Sequence, residues 1–249
     1  MKRLLYSTFA TFCLAALPPA ASAQQLTISA ASSLTEAFKE IGPRFEAQRP
    51  GATLRFNFAA SGVLLQQILQ GAPVDVFASA DQDTMNRAAD RQAIAVQTRQ
   101  DFASNSLVLV TPPGGAVRSL PDLARPDVKR IAVGKVASVP VGRYTQQALE
   151  SAGLWSSLGS RFVYADNVRQ VLDYVSRGEA EAGFVYRTDA LLAGDKVAIA
   201  MTVPGHAPVT YPVAAVSDSR QPALAREFIA FLAGSQAQAI LARHGFGKP

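Results

Sequence analysis

From residue 24 onward the chain alternates short apolar runs, rich in β-branched and aromatic residues, with amphipathic helical segments. That alternation calls for a mainly parallel sheet with helices on both faces, an α/β architecture. The runs that predict strands are residues 26–30, 53–59, 74–79, 106–111, 129–133, 162–165, 182–186, 197–202 and 209–217. Between them, Leu34, Ala37, Phe38, Ile41 and Phe45 fall on one helical face, although Gly42-Pro43 should kink or interrupt that helix. Val168, Val171, Leu172 and Val175 form a second stripe; Leu224, Phe228, Phe231 and Leu232 form a third. These stripes read as core. The last strand and the two helices after it have no further strands to pack on, so they should complete the first domain. The expected division is 24–104 plus 213–249 for domain I and 105–212 for domain II, with crossings near Asn105 and Tyr211 that favour a hinge.

Residues 1–23 read as a secretory leader. Lys2 and Arg3 open it, an apolar stretch runs from Leu4 to Leu17, and a small-residue tail ends Ala21-Ser22-Ala23, where cleavage is expected. The apolar stretch is too short, and too broken by Ser7, Thr8 and Thr11, for a permanent membrane span. The single cysteine, Cys13, lies inside that stretch and not after a run of small residues, which argues against lipid anchoring, and the mature chain has no thiol chemistry. Losing two basic residues with the leader takes the net charge from +5 to +3. The basic residues are scattered singly, which argues against nucleic acid as a partner.

The chemistry-bearing segments are places where a strand ends in small hydroxyl residues and a helix starts at once. Residues 28–36 (Ile-Ser-Ala-Ala-Ser-Ser-Leu-Thr-Glu) and 58–62 (Phe-Ala-Ala-Ser-Gly) run from strand into helix, and residues 138–142 and 166–169 also precede helical patterns. The first turn of a helix carries unpaired N–H donors and a partial positive charge, so several such starts at the carboxyl edge of parallel strands would hold an anion without a buried cation. Each segment alone also fits plain capping: Ser33 with Glu36 matches a capping box, and Ser, Asp and Asn are ordinary caps. Asp166 is expected to cap its helix. Tyr186 closes an apolar strand, where its hydroxyl either emerges at the sheet edge or belongs to the core.

Taken together, residues 30–35 (Ala-Ala-Ser-Ser-Leu-Thr), 58–61 (Phe-Ala-Ala-Ser), 71–82 (Gly-Ala-Pro-Val-Asp-Val-Phe-Ala-Ser-Ala-Asp-Gln), 105–108 (Asn-Ser-Leu-Val), 139–144 (Val-Pro-Val-Gly-Arg-Tyr), 166–169 (Asp-Asn-Val-Arg), 183–186 (Gly-Phe-Val-Tyr) and 211–214 (Tyr-Pro-Val-Ala) resemble the periplasmic molybdate-binding proteins of ATP-driven importers. They follow the family's order across essentially the whole mature chain. The resemblance implies a two-domain periplasmic-binding-protein fold of type II and a site built wholly from neutral donors. Carried over, the serine hydroxyls fall on Ser33 and Ser61, the second domain's backbone amides on Val141 and Val168, and the phenol on Tyr186. Ser32 puts an extra hydroxyl beside Ser33, and Val141 stands where relatives often have Ala.

The resemblance also implies molybdate or tungstate as ligand, no cofactor and no metal beyond the molybdenum of the oxyanion, a monomer in the periplasm, and the membrane permease of an ABC importer as partner. Sulfate or phosphate would share the fold and the donor logic. An enzyme would have to recruit Ser33 or Ser61 with His206 or His244, both of which stand beside loop signals, and no nucleophile, phosphate-loop or zinc-protease motif is present. A metal receptor would need His, carboxylate or paired Tyr ligands converging at one place, and the sequence has no such cluster.

Overall fold

The computed structural model describes residues 24–249; the expected leader and its cleavage site lie outside the described residues. In chain order the elements are β1 (Gln24–Ala31), α1 (Thr35–Gln48), β2 (Ala52–Ala59), α2 (Ser61–Leu69), β3 (Val76–Ala78), α3 (Gln82–Asp90), β4 (Gln100–Asn105), β5 (Leu107–Thr111), β6 (Ile131–Gly134) and α4 (Pro140–Ser151). They continue with α5 (Trp155–Leu158), β7 (Phe162–Ala165), α6 (Val168–Ser176), β8 (Ala182–Tyr186), α7 (Arg187–Ala193), β9 (Ala198–Thr202), β10 (Val209–Ala215), α8 (Pro222–Ala233) and α9 (Ser235–Arg243).

Two five-stranded sheets form, ordered β2-β1-β3-β10-β4 and β7-β6-β8-β5-β9. In the first, β10 runs antiparallel to both neighbours while β1, β2 and β3 pair in parallel; in the second, β5 plays the part of β10. Four of five strands in each sheet therefore point the same way, and helices cover the faces, the α/β plan that the alternating sequence requires.

The chain leaves the first sheet at the end of β4, enters the second at Leu107, and returns through β10. The two crossings lie side by side: Val209 is in register with Asn105 on one side, and Val203 N–H donates to the Leu107 carbonyl on the other at 2.9 Å. All of β10, from Val209, sits in the first sheet, so the return is made ahead of the boundary at 213 read from the sequence.

The first half's core centres on Phe38, which meets Phe56, Phe102 and Phe228 edge-on or tilted at 5.9–6.0 Å and so ties α1 to β2, β4 and α8. Of the kink or interruption that Gly42-Pro43 predicts, the interruption does not occur: α1 runs continuously through Pro43. Only one intrahelical bond is lost there. The buried face of Phe38, Ile41 and Phe45 holds the helix down on both sides of it, and Gly42 lets the ring of Phe56 come so close that a Cβ would sit 3.0 Å from it. One strand, β4, was not read from the sequence: Gln-Asp-Phe-Ala-Ser-Asn has little apolar content, and as an edge strand it has one neighbour to satisfy.

Candidate functional site

The carboxyl ends of β1, β2 and β3 in one sheet face those of β7 and β8 and the start of α4 in the other. Between them lies one small cavity walled by Ser32, Ser33, Ser61 and Ala80 from the first half and by Val141, Val168 and Tyr186 from the second. All five residues carried over from the family resemblance meet there. The space open to the centre of a water-sized sphere is about 10 Å³, the room a single water needs. Among the described residues no charged side chain lines it.

The second half's two backbone donors follow from helix geometry. Val141 stands second in α4 and Val168 first in α6, positions whose N–H groups have no carbonyl four residues back in their own helix. Pro140 at the head of α4 forgoes an N–H that would be an orphan anyway. Asn167, not Asp166, caps α6, its Oδ1 accepting from Gln170 N–H at 3.0 Å. Asp166 is instead exposed and pairs with Lys135, because its place just outside the extended N-cap turns it to solvent, and no carboxylate enters the cavity.

Neither serine caps a helix. Ser33 lies inside a tight turn, Ser32–Leu34, that leads into α1, and Ser61 opens α2, with no side-chain cap bond at either start. Ser33 Oγ lies 3.0 Å from Tyr211 Oη, and Ser61 Oγ accepts from Ala80 N–H at 3.0 Å. Tyr186 is fully buried, and its hydroxyl donates to the Ala80 carbonyl at 3.5 Å, the outer limit of a hydrogen bond. Burial raises the phenols of Tyr186 and Tyr211 well above their ordinary value, so both keep their protons.

Contacts across the cleft surround the cavity. Arg143 on α4 binds Asp81 of the first half through two nitrogens, at 2.5 and 2.8 Å, and also reaches Thr84 Oγ1 at 2.6 Å. Gly62 N–H donates to the Ser138 carbonyl at 3.0 Å. Arg169 on α6 points a nitrogen at the Ser33 carbonyl, 3.5 Å away, while its Nε stands 2.8 Å from the fully buried Asp189. That ion pair is close but not linear enough to be a hydrogen bond, and burial raises Asp189 to about 6 against the pull of Arg169. Of these residues, Gly62, Ser138 and Arg169 lie in the strand-to-helix segments that local patterning marks, whereas Asp81 and Arg143 are marked only by the stretches that carry the family resemblance. The two histidines lie elsewhere: His206 binds the Val203 and Ala207 carbonyls, and His244 binds Glu40.

Two mixed α/β halves joined by a double crossing, with neutral donors converging between them, define a two-domain periplasmic binding protein. The sequence profile of the bacterial extracellular solute-binding protein family matches residues 26–247, and the chain belongs to that family. It is 37% identical over 229 residues to the molybdate-binding protein ModA of Escherichia coli (strain K12), covering 89% of this chain and 88% of that one. Against ModA of Mycobacterium bovis the identity is 37% over 235 residues, covering 93% and 87%. Among solved structures, the periplasmic molybdate-binding protein of Azotobacter vinelandii superposes with a TM-score of 0.80 at 25% identity, covering 90% of this chain and 99% of that one.

Proposed function

We propose that this protein captures molybdate, and tungstate with it, between its two halves and hands the anion to the membrane permease of an ABC importer. The observation that carries the reading is the wall of the cavity: Ser33, Ser61, Val141, Val168 and Tyr186 converge on one small space that no charged side chain of the described residues lines. A dianionic tetrahedron accepts at every oxygen, and hydroxyls and helix-start amides at the carboxyl edges of parallel strands supply donors without a cation. The halves touch over the cavity, so an anion enters when they part and is sealed when they meet. On entry the Tyr186 hydroxyl exchanges its 3.5 Å contact with Ala80 for a stronger acceptor.

The reading is of a binder and not an enzyme. The hydrogen-bond partners of the two serines are Tyr211 and the Ala80 amide, neither of which is a base that could activate a nucleophile. With the leader removed after Ala23 the protein works in the periplasm, as a monomer and without a cofactor; no described helix is long and apolar enough to cross a membrane.

Calorimetric titration of the mature protein with molybdate, tungstate, sulfate and phosphate tests the assignment. Tight binding of the first two and weak binding of the others is expected. Hydrogen phosphate keeps a proton that finds no carboxylate acceptor here, at about 1–3 kcal/mol for the unpaired group. Tight binding of sulfate or phosphate with none of molybdate or tungstate overturns the ligand.

A further inference from the structure

The hydroxyls of Ser33 and Ser61 in the cavity wall have their oxygens engaged from behind, and for Ser33 the bonds behind it run in one direction. The backbone N–H of Ser106 can only donate, and it donates to Asn105 Oδ1 at 2.9 Å. That fixes the carboxamide with its nitrogen on the other side, where Nδ2 donates to Thr188 Oγ1 at 2.9 Å and to Tyr211 Oη at 3.2 Å. Tyr211 Oη thus already accepts. Its one remaining described partner is Ser33 Oγ, 3.0 Å away in a fully buried contact, so the Tyr211 proton goes to Ser33 and the Ser33 proton is turned toward the cavity. Ser61 is set the same way by a simpler device, since the Ala80 N–H it accepts from can only donate.

We propose that Tyr211, itself oriented by Asn105, is a positioning residue that holds Ser33 as a donor toward the ligand and thereby selects a fully deprotonated tetrahedral anion over one that keeps a proton. The inference rests on the proposed anion-capture function and deepens it. With its oxygen engaged by Tyr211, Ser33 is a poor acceptor for a proton on the ligand; without Tyr211 the same hydroxyl is free to turn and accept.

The test is a double-mutant cycle read by calorimetry, with molybdate and inorganic phosphate as probes at neutral pH. Tyr211→Phe in the wild-type background is expected to weaken molybdate about tenfold, one hydrogen bond's worth of orientation, and to narrow the ratio of molybdate to phosphate affinity. In the Ser33→Ala background the same change is expected to alter molybdate affinity less than about twofold, because no hydroxyl is left to orient. Asn105→Asp supplies a second cycle should Tyr211→Phe fold poorly. Its carboxylate keeps the side chain's shape but demands the Tyr211 proton, so its effect too should shrink when Ser33 is absent; what persists is the repulsion of the added charge.

Equal losses with and without Ser33, or an unchanged anion ratio in Tyr211→Phe, overturn the proposal and leave the capture function standing. A wild-type protein that binds neither molybdate nor tungstate overturns both.

Discussion

Gly62 and Ser138 meet across the cleft with no room between them: the Gly62 amide donates to the Ser138 carbonyl at 3.0 Å, and a Cβ on Gly62 would lie 2.6 Å from that oxygen and 2.8 Å from the Ser138 Cα. Both atoms are backbone, so neither side can yield by turning a side chain. Gly62→Ala should therefore fold normally within its own half, where alanine suits the second position of α2, while keeping the halves apart. The expected result is a loss of molybdate affinity of tenfold or more with little change in melting temperature. Small-angle scattering should show a radius of gyration that no longer falls when molybdate is added.

Arg143 and Asp81 form a largely buried ion pair between the halves, with side chains 15% and 5% exposed. In an opened protein both ions regain water; in the closed one Asp81 without Arg143 stays dry and without a counter-ion, held only by the Thr84 N–H and the Ser79 hydroxyl. Arg143→Met is thus expected to weaken binding by roughly tenfold or more, part of the several kcal/mol that breaking a buried pair costs. The loss should fall on closure, visible as a larger radius of gyration for the variant than for wild type at saturating molybdate.

Ser33→Ala and Ser61→Ala each remove a hydroxyl that faces the cavity and should lower molybdate affinity about ten- to hundredfold, the value of a hydrogen bond to a charged group at roughly 1.5–3 kcal/mol. Because neither serine caps a helix, helix content by circular dichroism should stay the same. Ser61→Ala also strands the Ala80 amide, so its ligand-free melting temperature should drop as well. Unchanged calorimetric affinity in both variants would remove these hydroxyls from the site.

Asp189 gives the fold a pH dependence of defined sign. Burial raises the carboxyl from 3.8 to about 6, opposed by Arg169 and by the Tyr186 backbone N–H. Between these values the folded chain holds a proton that the unfolded chain has released, so the contribution to stability is complete below about pH 4 and is lost as pH rises through 6. Asp189→Asn cannot titrate. Urea denaturation at pH 4, 5, 6 and 7 should show the variant gaining on wild type across this range; a constant difference would mean that Asp189 does not titrate there.

The sequence displayed its strands wherever they were apolar and hid the one that was not. Residues 162–165 and 182–186 coincide with β7 and β8, whereas β4 carries Gln100, Asp101, Ser104 and Asn105 and is held by pairing with β10 instead of by its own pattern. Pro43 does not end α1 because its local penalty is fixed, while the packing that outweighs it sets Phe38 and Phe45 against rings distant in sequence, Phe56, Phe102 and Phe228. Asp166 and Asn167 could not be told apart as caps: both types serve, and the choice rests on which residue takes the extended backbone before α6, here Asn167. At the cavity, the helix-start amides were legible as strand-to-helix junctions, whereas pattern left Tyr186 open between core and sheet edge and only the family resemblance pointed it at the site. The support behind Ser33 was not, because Asn105 and Tyr211 lie 106 residues apart and the latter is 178 from Ser33, distances that no local periodicity spans.

The two crossings, strand β4 into β5 and strand β9 into β10, run side by side and are hydrogen-bonded at both ends of the passage. A paired ribbon bends across its width but resists sliding of one strand along the other, which would pull its ladder out of register. The joint accordingly opposes sliding of one half past the other, which keeps the Ser33 wall opposite the Tyr186 wall. Fidelity toward an ion only a few ångströms wide then depends on a strip of backbone that never touches it.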